Sequence, residues 1–186
     1  MRLILVLFLI LNCSVAVGQN FDTEFKYPDE AGKNIIFQNS LPKGGIHYTA
    51  PSKESFIYAI FWTRLTNETD NPIELKIDFP ADGFQLPNSF DNSVKLLLPA
   101  NKMNLEKDSL FNYGFTDIED YLNKNFNQKS SLTKIIQPQE KYLFYVVALY
   151  DKGVEGRIRS GFVMKENQIF YKISGIEIPC GLIKQM

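Results

Sequence analysis

Cysteine and histidine are nearly missing: the 186 residues hold two cysteines, Cys13 and Cys180, and one histidine, His47. Zinc and iron centres take several His or Cys ligands, so the chain offers no transition-metal set, and no disulfide framework is available. Charge of one sign is also lacking, with 20 basic and 21 acidic residues. Such a balance produces no long-range field for nucleic acid or an anionic membrane. Several motifs are absent as well. There is no Gly-x-Ser-x-Gly elbow and no glycine-rich phosphate loop, Lys43-Gly44-Gly45 being only a turn. No acidic spacing of the EF-hand type occurs, which leaves scattered carboxylates as the only oxygen ligands for calcium. The sequence therefore assigns no catalytic, cofactor-binding or metal-binding residue.

A hydrophobic run opens the chain. Met1 and Arg2 precede an unbroken apolar stretch from Leu3 to Leu11, and Ala16-Val17-Gly18 follows with small residues at its first and third places. Positive start, short apolar region and small-x-small site form the layout of a secretory signal peptide. The run is too short to span a bilayer, which takes about 20 apolar residues. Residues 1–18 are thus expected to be a signal peptide, with a mature chain from Gln19 that is secreted or periplasmic and has no transmembrane segment. A second reading treats Cys13, after Ile10-Leu11-Asn12, as the lipid-modified cysteine of a lipoprotein, although Asn12 stands where such signals carry Gly, Ala or Ser.

Cleavage after Gly18 leaves 19 basic and 21 acidic residues, a formal charge of −2. The remaining 168 residues suit one domain that folds without disulfides. Residues 19–33 lack periodicity and read as a loose N-terminal arm; residues 34–186 read as a single domain.

Within that domain, strand patterns dominate. Phe56 to Leu65 and Tyr142 to Tyr150 are aromatic and β-branched on both faces, as central strands covered on both sides are. Ile73 to Phe79 alternates apolar and charged residues, the period of a strand with one wet face. With the polar stretch 67–72 before it, this segment and Phe56 to Leu65 are expected to pair as a hairpin. Shorter strand patterns fall at 34–38, 46–50, 94–98, 132–136, 156–164 and 168–173. Thr116 and Glu119 have capping-box spacing, and Ile118, Tyr121, Leu122 and Phe126 recur at helical spacing, which predicts a helix of about three turns lying on the sheet. Leu105 to Asn112 reads as a shorter helix. About eight strands with one or two inserted helices and no βα alternation indicate a mainly β, antiparallel sandwich.

The run Trp62 to Leu75 resembles the B–C region of immunoglobulin-like domains, where an apolar strand enters an Asn-x-Ser/Thr turn, then Pro, then an alternating strand. Without the paired cysteines of antibody-type domains, the resemblance implies a sandwich and no particular family. The chain as a whole is similar to uncharacterised exported proteins of Bacteroidetes-type bacteria, which implies no activity.

Individual residues have competing readings. Cys180 is a small buried hydrophobe, a reactive thiol that could pair with His47, or an intermolecular cross-link. Arg157 and Arg159 form a wet strand face or an anion clamp. Trp62 belongs to the core, whereas Tyr48 and Tyr113 are placed in loops as exposed contact residues. Glu74, Asp78, Glu119 and Asp120 read as solvated surface charge. Asn67-Glu68-Thr69 is a glycosylation sequon on a turn. Three functions stay open: an exported non-enzymatic binding domain of unknown ligand, with protein or carbohydrate held by loops 39–45, 67–72, 81–93 and 151–155; an extracytoplasmic hydrolase; and a structural or accessory subunit of an envelope assembly.

Overall fold

A computed structural model describes residues 21–86, 93–152 and 158–186. The signal region, Cys13, Arg157 and parts of loops 81–93 and 151–155 lie outside the described residues. In chain order the elements are β1 (Thr23–Pro28), β2 (Asn34–Asn39), β3 (Lys43–Thr49), β4 (Ser55–Asn67), β5 (Ile73–Phe79), β6 (Phe84–Gln85), β7 (Ser93–Leu97), α1 (Ile118–Asn125), β8 (Ser130–Ile136), β9 (Lys141–Tyr150), β10 (Ser160–Lys165), β11 (Gln168–Ile173) and β12 (Ile176–Gln185). Short 3-10 turns at Leu105–Lys107 and Phe111–Gly114 precede α1.

The chain is a mainly β, antiparallel sandwich. One sheet runs β1-β2-β4-β9-β7-β6, with β3 on the same flank of β4 as β2; the other runs β10-β11-β12-β5-β8. The long strands β4 and β9 pair from Ile57–Tyr150 to Thr66–Lys141 and form the middle of the first sheet. Their alternate side chains divide the interior. Ala59, Phe61, Leu65, Phe144, Val146, Ala148 and Tyr150 face the second sheet, where they meet Leu75, Ile77, Phe162 and Tyr171. Tyr58, Ile60, Trp62, Tyr145, Val147 and Leu149 face the other way and are covered by residues 103–126. Trp62 is fully buried under this cap, and its indole N–H donates to Asp108 Oδ1 at 2.8 Å. The expectation that both strands are covered on both faces is met by a sheet on one side and a helical cap on the other.

Several details differ from the sequence reading. Residues 73–79 form the expected strand, but β4 and β5 do not pair: β5 lies in the second sheet between β12 and β8. The polar stretch 67–72 is therefore a crossover between sheets. Its Asn67 accounts for this, because a buried amide satisfies backbone groups of both layers where a hairpin turn would not. Helix α1 spans only eight residues, with Asp117 at its N-cap and no side-chain capping bond, so Thr116 and Glu119 do not form the box. Ile118 and Leu122 are its buried face, as the periodicity requires. The stretch expected as a loose arm contains β1, an edge strand paired with β2. Strand β12 carries Pro179 and Gly181, residues that usually interrupt strands. Pro179 is tolerated because the ladder to β5 begins only at Gly181. Cys180 is the extra residue of a bulge between the pairs Phe170–Pro179 and Ile169–Gly181.

Two buried asparagines join the sheets. Asn39, at the end of β2, treats edge strand β10 as a neighbouring strand would: Phe162 N–H donates to its Oδ1 (2.9 Å) and its Nδ2 donates to the Phe162 carbonyl (3.2 Å). The Thr63 hydroxyl donates to the same Oδ1 at 2.9 Å. Gly161 makes this approach possible, since a Cβ there would stand 2.3 Å from Asn39 Cγ. Asn67, at the end of β4, donates through Nδ2 to the carbonyls of Asn71 (2.9 Å) and Ile136 (3.1 Å), and its Oδ1 accepts from the Thr69 N–H (3.0 Å) and hydroxyl (2.7 Å).

Loss of either amide leaves buried backbone groups without partners, a penalty of about 3 kcal/mol. Asn39→Ala and Asn67→Ala are each expected to lower the unfolding free energy in urea by that amount. Asn127→Ala, at an exposed position, is expected to leave it within about 0.5 kcal/mol of the parent.

Candidate functional site

Strands β1 and β10 are the matching edges of the two sheets, and the core opens between them. Along the outer edge of β10, Asn39 holds Phe162, and the Tyr27 hydroxyl accepts from Met164 N–H at 2.7 Å. The two-residue period of the strand turns the N–H and carbonyl of Ser160 to the same side. Beyond Asn39 lies the Ser160 end of this edge. It borders a cleft of about 400 Å³ formed by Thr23 and Phe25 of β1, residues 158–161 and Val163 around β10, and Lys172, Ser174 and Gly175 of the β11–β12 turn.

Phe25, Ile158 and Val163 make the apolar part of this cleft; Thr23, Ser160 and Ser174 add hydroxyls. Its charged members are Arg159 and Lys172, and no carboxylate is among the described residues that line it. Among the described residues the acidic partner of Arg159 is Asp22, whose Oδ2 is 3.8 Å from Arg159 Nε. The Arg159 side chain is 70% exposed, which leaves its planar donor fork available to a ligand. Arg159, one of the two arginines singled out in sequence, thus lines a cleft just before β10 while its side chain stays largely in solvent.

The other sequence candidates have different fates. Cys180 is buried in the inter-sheet core with its Sγ 3.6 Å from the Ile169 carbonyl, whereas His47 is exposed on β3 of the opposite sheet. The dyad is not assembled. Tyr48 and Tyr113, expected on the surface, are buried beneath the cap. The Tyr48 hydroxyl donates to Asn123 Oδ1 (2.9 Å) and that of Tyr113 to the Leu41 carbonyl (2.6 Å). Loop 39–45 is likewise tied down, because Ser40 bonds Trp62 through both N–H (3.0 Å) and Oγ (2.8 Å), and Lys43–Thr49 continues it as β3. At Asn67 both amide protons are engaged and the residue has no exposed surface, so a glycan on Nδ2 is incompatible with the folded turn. The Asn-x-Thr spacing serves instead the two bonds from Thr69.

A second, broader cleft of about 810 Å³ lies where the cap meets Ile46 of β3 and Tyr58 of β4, with Asn112 and the start of α1 in its wall. Neither cleft was visible in sequence, since Phe25 is more than a hundred residues from Val163 and Lys172, and Tyr58 about fifty from Leu110. Among the described residues no three of His, Cys, Asp or Glu are grouped to hold a metal ion, and no helix is long and apolar enough to cross a membrane. Comparison of the chain with family models, curated proteins and solved structures returns no match.

Burial pushes the Cys180 thiol up from 9.0 to about 12, and it raises Tyr121 from 10.0 to about 12 and Tyr150 and Tyr171 further. Below pH 9 the folded and unfolded chains hold these protons alike, and the full stability is present. Above pH 9 the unfolded chain releases them first, so stability is lost as pH rises toward 12. A chemical-denaturation series is expected to fall over that window. At pH 8 an aromatic disulfide reagent is expected to label Cys180 at least about a hundredfold faster in denaturant than in the native protein, since the thiolate is both rare and enclosed.

Proposed function

We propose that the chain is an exported, non-enzymatic binding domain whose ligand site is the β1–β10 cleft. Its first eighteen residues have the layout of an export signal, which assigns the domain to the secreted or periplasmic space; lipid attachment at Cys13 is the alternative mode of export. The observation that carries the reading is the lining of the cleft: apolar surface from Phe25, Ile158 and Val163 beneath two cations, Arg159 and Lys172. An apolar pocket with a few placed polar groups is the common form of a small-ligand site. The pair of cations selects a carboxylate head, the hydroxyls offer it hydrogen bonds, and the apolar wall accepts a short hydrocarbon or aromatic body.

Calorimetric titration with octanoate, octylamine and octanol tests this. Octanoate is expected to bind with a dissociation constant of about 1 mM or below, at least about tenfold tighter than the other two. Arg159→Gln combined with Lys172→Gln is expected to erase that preference. Equal binding of the amine, or a preference that survives the double substitution, would overturn the assignment.

A further inference from the structure

The broader cleft has the opposite character. It is bounded by Ile46 and Tyr58, by the turn from Leu110 to Phe115, and by the start of α1 with Asp117, Glu119 and Asp120. Three carboxylates and no cation are among the described residues that line it. Two lysines beside the turn are engaged by backbone: Lys43 Nζ donates to the carbonyls of Asp108 and Leu110, and Lys107 Nζ to that of Lys102 at 3.1 Å.

A second observation is independent of this charge. Asn112 is 2% exposed, and its Nδ2 donates to the Tyr58 hydroxyl at 3.3 Å. Its Oδ1 is buried with no hydrogen-bond partner among the described residues, and Asn112 is part of the cleft wall. A buried acceptor without a donor carries a penalty of about 1–3 kcal/mol, which a ligand donor would relieve. Asn112 is also held at φ 48°, ψ 29°, in the left-handed region that asparagine tolerates better than other side chains. Beside it the apolar surface is unusually open: Phe111 is 74% and Leu110 51% exposed, while the neighbouring Tyr113 and Phe115 are buried.

The cleft thus combines one unmet buried acceptor, a negative net charge and an apolar shoulder. From these we infer that the cleft is a docking site for a segment of a partner protein in which lysine or arginine alternates with apolar residues. The basic head would donate to Asn112 Oδ1 and the carboxylates, and the apolar neighbours would cover Leu110 and Phe111. A small cation would meet the same carboxylates but leave the apolar shoulder bare; an acidic segment would be repelled. This site is separate from the β1–β10 cleft, and neither assignment rests on the other.

The test is a titration of the protein, followed by NMR or calorimetry, with a six-residue peptide alternating lysine and leucine and with its glutamate–leucine counterpart. The basic peptide is expected to saturate and the acidic one not. Asn112→Gly, which suits the left-handed backbone while removing the amide, is expected to weaken the basic peptide by about tenfold, as is the combination Asp117→Asn, Glu119→Gln and Asp120→Asn. The three carboxylates are exposed, so this combined variant tests the site even if Asn112→Gly fails to fold. Arg159→Gln with Lys172→Gln is expected to leave peptide affinity unchanged. Equal saturation by both peptides, no saturation by the basic one, or affinity indifferent to the carboxylate variant would overturn the inference.

Discussion

The architecture depends on the β4–β9 ladder. Both strands are apolar on both faces, so the pair cannot be stable with water on either side. One face requires a second sheet and the other requires a cover. The chain supplies the sheet from β5, β8 and its last three strands, and the cover from the segment between β7 and β8. Because that segment must pass over Trp62 and Tyr145 within a short span, it is irregular. It contains 3-10 turns, left-handed residues and one brief helix, and Tyr113 turns its ring inward to pack on Trp62. The exposed Phe111 and the unpartnered Oδ1 of Asn112 are outcomes of that tight path.

The two sheets are joined by polar groups as well as by packing. Asn39 and Asn67 each end a strand of the first sheet and bond backbone of the second. Replacing a strand with a side-chain amide satisfies an edge while ending the ladder, which guards β10 against pairing with another chain along that stretch. It also leaves an opening just past the amide. The β1–β10 cleft therefore begins where the Asn39 bonds stop, with Gly161 shared by both features.

The two clefts divide the surface by charge. Arg159 and Lys172 mark one, and Asp117, Glu119 and Asp120 mark the other, on a chain of formal charge −1. A near-neutral total thus hides two local fields of opposite sign. A domain with this layout would hold a carboxylate ligand and a basic partner segment at separate places, without competition between them.

The amino-acid sequence by itself determined the class of the fold and its central elements. Two-faced apolar runs define β4 and β9, strict alternation defines β5, and a helical repeat defines the buried face of α1, because periodicity is a local property of burial. It also settled that Trp62 is core. What it could not determine was which strands become neighbours. Residues 67–72 look like a hairpin turn by composition, yet Asn67 uses them to cross between sheets, since a turn's residues do not reveal the layer to which the next strand adds. Strand β12 was hidden by Pro179 and Gly181, whose tolerance depends on a ladder that starts late and on the carbonyl of Lys76 lying against Gly181. Tyr48 and Tyr113 read as loop residues and are buried by a cap that lies over the sheet only in three dimensions. Both clefts belong to the same category: each is made of residues far apart in the chain, and only tertiary packing decides which groups converge, which are satisfied and which face outward.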